Sequence, residues 1–243
     1  MFLFKKKARS TDFSWLGTDL HSHLLPGIDD GSQDMDTSIE LLKGFASLGF
    51  KKVITTPHVL WEMYPNTPEI IQSKKEVVAN AIKEAGMSIE FGAAAEYFID
   101  EHFQQTLKEK QPLLTIQNNL VLVEFSMITA PMDLLDVLFQ MQLNGYQPII
   151  AHPERYIYLH GRKEFFNKLK DSGCLFQINL LSLTPHYGTS VQALAEYLVK
   201  RDMYDYAGTD MHHVKHLQAL QNLAASPLYN WLKDSGKLRN HLL

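Results

Sequence analysis

The chain has 243 residues, of which 45% are hydrophobic and 21% are charged, and its formal net charge is -4 at pH 7. This length and composition can bury one large core, so we expect a single domain over residues 1–243. The slightly acidic balance argues against a nucleic-acid surface, because binding to phosphate backbones needs a basic patch. No apolar run is long enough to span a bilayer, no signal peptide is visible, and the single cysteine, Cys174, excludes an intramolecular disulfide framework. We therefore expect a cytoplasmic protein.

The first seven residues, Met-Phe-Leu-Phe-Lys-Lys-Lys, are apolar and then basic. Such a segment could rest weakly on an anionic membrane surface, but one short segment anchors poorly and a frayed end is the simpler interpretation. We expect residues 1–14 to form a flexible tail.

Short β-branched runs alternate with longer amphipathic patterns along the whole chain, which is typical of an α/β fold with a parallel sheet. The first predicted strand ends near residue 20, and the other six cover 52–56, 88–96, 120–124, 147–151, 175–179 and 204–208. The predicted helices cover 35–48, 68–85, 101–108, 132–144, 164–172 and 190–201. Strands that alternate with helices in this order can close into a barrel, whose chemistry lies at the carboxyl ends of the strands.

Metal-ligand side chains follow six of the seven strand candidates. His21 and His23 are two residues apart, so both imidazoles point to the same face of a strand. The Pro-Gly and Asp-Gly pairs that follow predict a tight loop that folds Asp30 back towards them. Pro57 should halt strand pairing and leave His58 at the end of its strand. The other candidates at strand ends are Glu96, Glu124, His152, Asp210 and His212.

These nine side chains supply nitrogen and oxygen ligands and no thiolate, which suits Mn, Fe, Zn or Mg rather than a soft metal. Nine ligands are too many for one ion, and a carboxylate such as Glu96 can bridge two, so a cluster of two or three ions is the economical interpretation. Each residue alone could be a solvated strand end, but nine at corresponding positions favour a metal centre.

Several motifs follow one another in order between about Asp19 and Leu220. They are Asp-Leu-His-Ser-His at 19–23, Leu-Pro-Gly-Ile-Asp-Asp-Gly at 25–31, Thr-Thr-Pro-His at 55–58, Val-Glu-Phe at 123–125, Ala-His-Pro-Glu-Arg-Tyr at 151–156 and Asp-Met-His at 210–212. Together they resemble the polymerase-and-histidinol-phosphatase (PHP) superfamily, and within it the metal-dependent bacterial tyrosine phosphatases that regulate capsule and exopolysaccharide synthesis. The resemblance implies a distorted TIM-like (β/α)7 barrel with a three-metal cluster. Mn²⁺ is the expected cofactor, with Fe, Zn or Mg as alternatives.

The resemblance also assigns each ligand to a metal. The first ion would take His21, His23, Glu96 and Asp210; the second Glu96 as a bridge with Glu124 and His152; the third Asp30, His58 and His212. Asp30 and Glu124 stand where histidinol phosphatases usually carry histidines, which favours the tyrosine-phosphatase branch.

The expected chemistry needs no protein nucleophile. Divalent cations neutralise phosphoryl oxygens and lower the pKa of a bound water, giving a hydroxide that attacks phosphorus. The Cys-x5-Arg signature of thiol-dependent phosphatases is absent, because Leu180 stands six residues after Cys174, which we interpret as a buried strand residue. Arg155 is expected to hold the phosphate by two parallel hydrogen bonds, an ordinary surface ion pair being the alternative. The second arginine of the family is missing, and Lys215 is the candidate substitute although it lacks the planar fork.

The remaining histidines lie in predicted helices or loops, where solvent-exposed or capping roles are expected. They are His102, His160, His186, His213, His216 and His241. Tyr156 and Tyr158 could line a substrate cleft, although aromatic residues near a barrel mouth more often serve packing.

The leading hypothesis is a metal-dependent protein-tyrosine phosphatase. Its partner, implied by the resemblance alone, would be a phosphotyrosine protein such as a bacterial tyrosine kinase of polysaccharide export. The alternatives are a small-molecule phosphomonoesterase such as histidinol phosphatase, and a non-catalytic metal-stabilised scaffold. The intact ligand set argues against the scaffold, which would have no need of open coordination positions.

Overall fold

The computed structural model describes residues 11–243, in which parallel strands alternate with helices, so the predicted α/β class is confirmed. The strands are β1 (Thr18–Asp19), β2 (Lys52–Thr55), β3 (His58–Val59), β4 (Glu90–Ala93), β5 (Glu96–Phe98), β6 (Leu120–Glu124), β7 (Gln147–Ala151), β8 (Leu175–Asn179) and β9 (Tyr206–Gly208). The helices are α1 (Met35–Ser47), α2 (Pro68–Glu84), α3 (Glu101–Lys108), α4 (Leu134–Leu143), α5 (Glu164–Asp171), α6 (Thr189–Val199), α7 (Val214–Leu220) and α8 (Pro227–Ser235). None of these helices is both long and apolar enough to cross a lipid bilayer.

The strands form two parallel sheets, β1-β2-β4 and β3-β5-β6-β7-β8-β9. Two of the predicted strands are interrupted. Pro57 has no N–H to donate, so β2 ends before it, and His58 begins the separate strand β3. The predicted strand 88–96 is likewise divided into β4 and β5. The expectation that His58 and Glu96 end their strands is therefore wrong: each begins a short strand, and the two are paired with each other.

The barrel closes where the segment after β9 meets the segment after β1. The Asp210 N–H donates to the His21 carbonyl at 2.7 Å, and the His23 N–H donates to the Met211 carbonyl at 2.9 Å. At the other end of this seam the Asn240 amide donates to the carbonyls of Thr18 and Ala207 at 3.0 and 2.7 Å. The expected distorted TIM-like barrel is thus confirmed, and its candidate ligands face one end.

Helix boundaries follow local capping chemistry. Asp34, Thr67 and Asp100 each accept a hydrogen bond from a first-turn N–H of α1, α2 and α3, respectively. Pro68 occupies the first turn of α2, where its missing N–H costs nothing. Each helix then buries apolar residues in the core.

The segment 11–14 is part of the core and not a tail. The Thr11 N–H donates to the Gln221 carbonyl at 3.1 Å. Phe13 is fully buried, and its ring stacks on Phe50 with centroids 5.1 Å apart. Burial of one such side chain contributes about 1.5–3 kcal/mol, which fixes the segment. The expectation of a flexible tail is therefore wrong for residues 11–14, and its part over residues 1–10 lies outside the described residues.

Candidate active site

All nine candidate ligands meet at the carboxyl end of the barrel. Three of them, His21, His23 and Glu96, are fully buried, and the others surround a cavity of about 430 Å³ above them. Four sets of at least three donor atoms lie within 4.8 Å of one another. These sets are His23 with Asp30, His58 and His212; His21 with His23 and Glu96; His21 with His152 and Asp210; and His58 with Glu96 and Glu124.

The two buried histidines turn their Nε2 atoms towards each other and towards carboxylates. The His21 Nε2 lies 3.3 Å from the His23 Nε2, 3.2 Å from Oε2 of Glu96 and 3.4 Å from Oδ1 of Asp210. Burial alone would lower the pKa of His21, but the charges of Glu96 and Asp210 outweigh it and raise that pKa to about 9. The pocket therefore favours positive charge at this point.

Hydrogen bonds on the far side of each ring fix these orientations. The Nδ1 of His21 bonds the side-chain oxygen of Gln177 at 2.8 Å, and the Nδ1 of His23 bonds Oδ2 of Asp29 at 2.8 Å. Because each partner oxygen accepts, Nδ1 carries the proton of the neutral ring, and Nε2, the atom that would bind a cation, faces the cluster. Sequence reasoning missed Gln177 and Asp29. Asp29 could have been found from its place in the Asp-Asp-Gly loop, whereas nothing local marks Gln177.

Glu96 and His58 carry buried polar atoms that the protein itself leaves unsatisfied. Oε2 of Glu96 lies 3.1 Å from Nδ1 of His58, and that nitrogen lies 3.0 Å from Oε1 of Glu124. Neither Oε2 nor Nδ1 has a hydrogen-bond partner of acceptable geometry among residues 11–243. Buried polar atoms are rarely left unpaired, and this nitrogen and oxygen set matches the ligands of Mn, Fe or Zn. The residues therefore fit a metal cluster.

The grouping of donor atoms differs from the assignment implied by the resemblance. His23 lies with Asp30, His58 and His212, and His152 lies with His21 and Asp210. His58 directs Nδ1 to Glu96 and Glu124, while its Nε2 lies 3.5 Å from Oδ1 of Asp30. His58 could therefore bind both the second and the third predicted ion, whereas the resemblance assigned it to the third alone. His152, assigned to the second ion, has Nε2 3.0 Å from Glu96 and 3.8 Å from Glu124.

The loop that carries Asp30 folds back over the histidines, as the sequence predicts. Oδ1 of Asp30 lies 3.4 Å from Nε2 of His212, and the hydrogen bond from His212 lowers the pKa of Asp30 to about 2. A Cβ at Gly31 would lie 2.3 Å from both the Cβ and the carbonyl oxygen of His23. Only glycine therefore allows this close packing.

Two candidate ligands have strained backbones. His152 has φ of 33° and Asp210 has φ of 51°, in the left-handed region that favours glycine. Such positions cost on the order of 1–3 kcal/mol and persist only where the surroundings enforce them. At Asp210 the hydrogen bond from its N–H to the His21 carbonyl enforces the strained conformation. The strain turns both side chains into the cluster.

Arg155 borders the cavity, as the sequence predicts. Its Nη1 donates to Oδ2 of Asp210 at 2.7 Å, and its guanidinium lies 4.8 Å from the centre of the Tyr187 ring. Burial of Arg155 disfavours its positive charge and would lower its pKa. The negative charge of Asp210 has the larger effect and raises that pKa, so the guanidinium stays charged. Asn179, which sequence reasoning missed, donates to the same Asp210 oxygen at 2.9 Å.

The structure does not bring Lys215 to the site. It is exposed on α7 and is not among the residues that line the cavity, whereas His213 and His216 are. His213 caps α7 by accepting the His216 N–H, a capping role as predicted. The expected exposure of His216 is wrong, because its ring is buried and its Nδ1 lies 3.2 Å from the Asp210 carbonyl. Burial, together with His213, lowers the pKa of His216 to about 3.

Two further interpretations are settled by packing. Tyr156 is fully buried and stacks on Phe125 at 3.9 Å, so it packs the core and does not line the cavity. Cys174 is buried, as predicted, and desolvation raises the pKa of its thiol to about 12. It therefore has no nucleophilic character.

Known proteins share this architecture and sequence pattern. A family model described as capsular polysaccharide synthesis, CpsB/CapC, matches residues 17–225. The chain is 28% identical over 197 residues to the tyrosine-protein phosphatase YwqE of Bacillus subtilis, covering 81% of this chain and 78% of the relative. It is 29% identical over 203 residues to the tyrosine-protein phosphatase CpsB of Streptococcus pneumoniae, covering 81% and 83%.

Solved structures agree with the sequence relatives. One from work on YwqE of Bacillus subtilis and CpsB of Streptococcus pneumoniae, described as unique metal-dependent tyrosine phosphatases, superposes with a TM-score of 0.78 at 27% identity, covering 92% of this chain and 94% of the other. Histidinol phosphate phosphatase of Lactococcus lactis shares the fold, with a TM-score of 0.55 at 12% identity and 95% of each chain covered. The family model covers most of the described barrel, and this chain belongs to the CpsB/CapC family.

Proposed function

We propose that this chain is a metal-dependent protein-tyrosine phosphatase that uses Mn²⁺ and acts on a phosphotyrosine protein of capsular polysaccharide synthesis, a tyrosine kinase of the export machinery being the expected substrate. The observation that carries the proposal is the convergence of nine nitrogen and oxygen ligands around one cavity, with buried Glu96 and His58 atoms that have no hydrogen-bond partner among the described residues and that a bound cation would satisfy. Membership of the CpsB/CapC family supports the choice of substrate.

The ligands divide among the ions as follows. In the assignment that the resemblance implies, His21, His23, Glu96 and Asp210 would hold one ion, Glu96, Glu124 and His152 a second, and Asp30, His58 and His212 a third. The distances from His58 to Glu96 and Glu124 would also let it bind the second ion. Bound divalent cations supply charge neutralisation of the phosphoryl oxygens and a water of lowered pKa. Gln177 and Asp29 keep the Nε2 lone pairs of His21 and His23 directed at the ions.

Arg155 would orient the phosphate. One of its nitrogens is committed to Asp210, and the side chain is 27% exposed at the cavity, so its other N–H groups can donate to phosphoryl oxygens. A phenolate has a pKa of about 10 and leaves readily, so an aryl phosphate needs no strong general acid from the protein. The cavity of about 430 Å³ is large enough for the phosphorylated ring.

The test compares turnover of a phosphotyrosine peptide, a phosphoserine peptide and histidinol phosphate by protein that has been chelated and then reloaded with Mn²⁺. We expect chelation to abolish turnover, Mn²⁺ to restore it, and the phosphotyrosine peptide to be the best substrate. Glu96→Gln should lose activity by about 100-fold or more, since it removes charge at the shared ligand. Glu101→Gln, a matched change at an exposed position on α3, should keep it.

Each contrary result has a definite meaning. Full activity in a metal-free preparation would refute the metal mechanism. Preference for histidinol phosphate would favour a small-molecule phosphomonoesterase, and metal-loaded protein without turnover of any ester would favour a scaffold.

A further inference from the structure

Helix α4 carries apolar side chains on two faces, separated by Asp136, Gln140 and Gln142. Leu134, Val137, Leu138 and Met141 are buried against the barrel. A second set of apolar side chains faces solvent: Met132 is 106% exposed, Leu135 38%, Phe139 60% and Leu143 63%. These four residues, here called the α4 stripe, follow helical spacing and form one continuous band. A helix with apolar residues on both faces is normally covered on both.

The α4 stripe is near the upper end of the apolar patches, about 300–600 Å², that monomers expose. With about 200 Å² for a fully exposed large side chain, its four residues present on the order of 500 Å² of apolar surface. Ile128, 85% exposed in the preceding loop, adds to this area. Two such surfaces in contact would bury on the order of 1,000–1,300 Å², near the lower limit of about 1,200 Å² for specific interfaces. The area that two α4 stripes would bury against each other is therefore close to that of a small specific interface.

The order of residues along the α4 stripe is self-complementary. Leu135 precedes Phe139 by four residues, and Leu143 follows it by four. In a two-fold antiparallel pair of α4 helices, Phe139 would contact its own counterpart, and Leu135 of each copy would contact Leu143 of the other. Isologous contacts require this kind of symmetry.

Charges near the stripe favour the same arrangement. The only charged residues of the segment 126–146 are Asp133 and Asp136, at the beginning of α4. An antiparallel pair would place these acids at opposite ends of a helix about 15 Å long, whereas a parallel pair would bring them together. The segment contains no lysine or arginine, which disfavours an anionic membrane as the occupant.

We infer that the α4 stripe is the interface of a two-fold symmetric dimer of this chain, in which the α4 helices of the two copies pack antiparallel about Phe139. Interfaces at the low end of the size range include weak, transient contacts, so we expect a dimer that dissociates at concentrations on the order of micromolar. The loop from Glu124 to α4 also carries Met127 of the cavity, so the second copy would lie beside the site entrance without supplying a ligand.

Sedimentation velocity of the full-length chain between about 1 and 100 µM is the first test. We expect a concentration-dependent shift from monomer to dimer. Phe139→Glu should raise the dissociation constant by about 30-fold or more, because it places two carboxylates at the centre of the contact. Met63→Glu is the matched control, an exposed apolar residue outside the stripe that should leave association unchanged.

A charge exchange tests the orientation. Leu135→Glu and Leu143→Lys should each weaken the dimer, and the double variant should restore it at least tenfold relative to either, because antiparallel packing pairs Glu with Lys twice. Unchanged circular dichroism would confirm that these exposed sites leave the fold intact.

Four results would overturn the inference. They are a wild type that stays monomeric at 100 µM, a double variant no better than the single ones, association that depends on residues 1–10 but not on Phe139, and a monomer that binds anionic vesicles through the stripe. None of these readouts depends on phosphatase activity, so the inference can fail while the proposed function holds.

Discussion

Arg155→Lys is expected to lower kcat/KM for a phosphotyrosine peptide by about 10- to 150-fold. Arg155 makes one bond of 2.7 Å to Asp210 and can offer further N–H groups to the phosphate. A lysine ammonium retains the charge but cannot hold both groups in fixed geometry. The loss of one charge-assisted hydrogen bond, about 1.5–3 kcal/mol, gives this range at about 1.4 kcal/mol per tenfold change.

The assay is steady-state kinetics at matched metal content, determined for each preparation. Arg162→Lys is the matched control, since Arg162 is exposed in the following loop. Lys215→Ala should change kcat/KM by less than about twofold, because Lys215 does not line the cavity. Wild-type kinetics for Arg155→Lys would refute the phosphate-binding role of Arg155. A severe loss of kcat in Lys215→Ala would refute our conclusion that Lys215 lies outside the active site.

Three other predictions concern the loop, the ligands and the thiol. Gly31→Ala should lower metal content and melting temperature, because its Cβ would lie 2.3 Å from His23, whereas Gly161→Ala, with nothing within 4 Å, should leave both unchanged. The pKa of His21, raised to about 9, means that the metal-free protein carries a proton there at pH 7.5 that a cation must displace. Metal affinity should therefore rise with pH up to about 9, and calorimetry in two buffers of different ionisation enthalpy should detect proton release; no release would contradict this. Cys174→Ser should retain turnover within about twofold, as its thiol has a pKa of about 12, and a collapse of activity in a folded variant would revive a thiol mechanism.

Local sequence signals predicted the order of the strands and of the first six helices, but not α7 or α8, and they predicted that the nine ligands lie at one end of the barrel. They worked because parallel strands align their carboxyl ends, so residues far apart in the chain become neighbours. Glu96 lies in the cluster, but it does not end a strand as expected: it is the first residue of β5 and is paired with His58. The break in its strand depends on pairing with β3 and β6, which a local pattern does not reveal.

Residues that support the ligands were harder to predict. Gln177 lies in a buried strand, 156 positions away from the His21 ring that it orients. His216 is buried because α7 packs beside the cavity, and helical spacing alone does not indicate that packing. Phe13 joined the core through its stack on Phe50, although it lies within the stretch 1–14 that was expected to be a flexible tail. In each case a tertiary contact determined the role.

The seam between β1 and β9 has consequences for how the barrel opens. His21 and His23 lie on one side of it, and Asp210 and His212 on the other. Two backbone hydrogen bonds and a few side-chain bonds from Thr209 and Asn240 join the two sides. Breathing of the barrel at this seam would separate the two halves of the ligand set. A cation held between them would act as a cross-link, so the residues that serve chemistry would also decide how slowly the amides of these segments exchange with solvent.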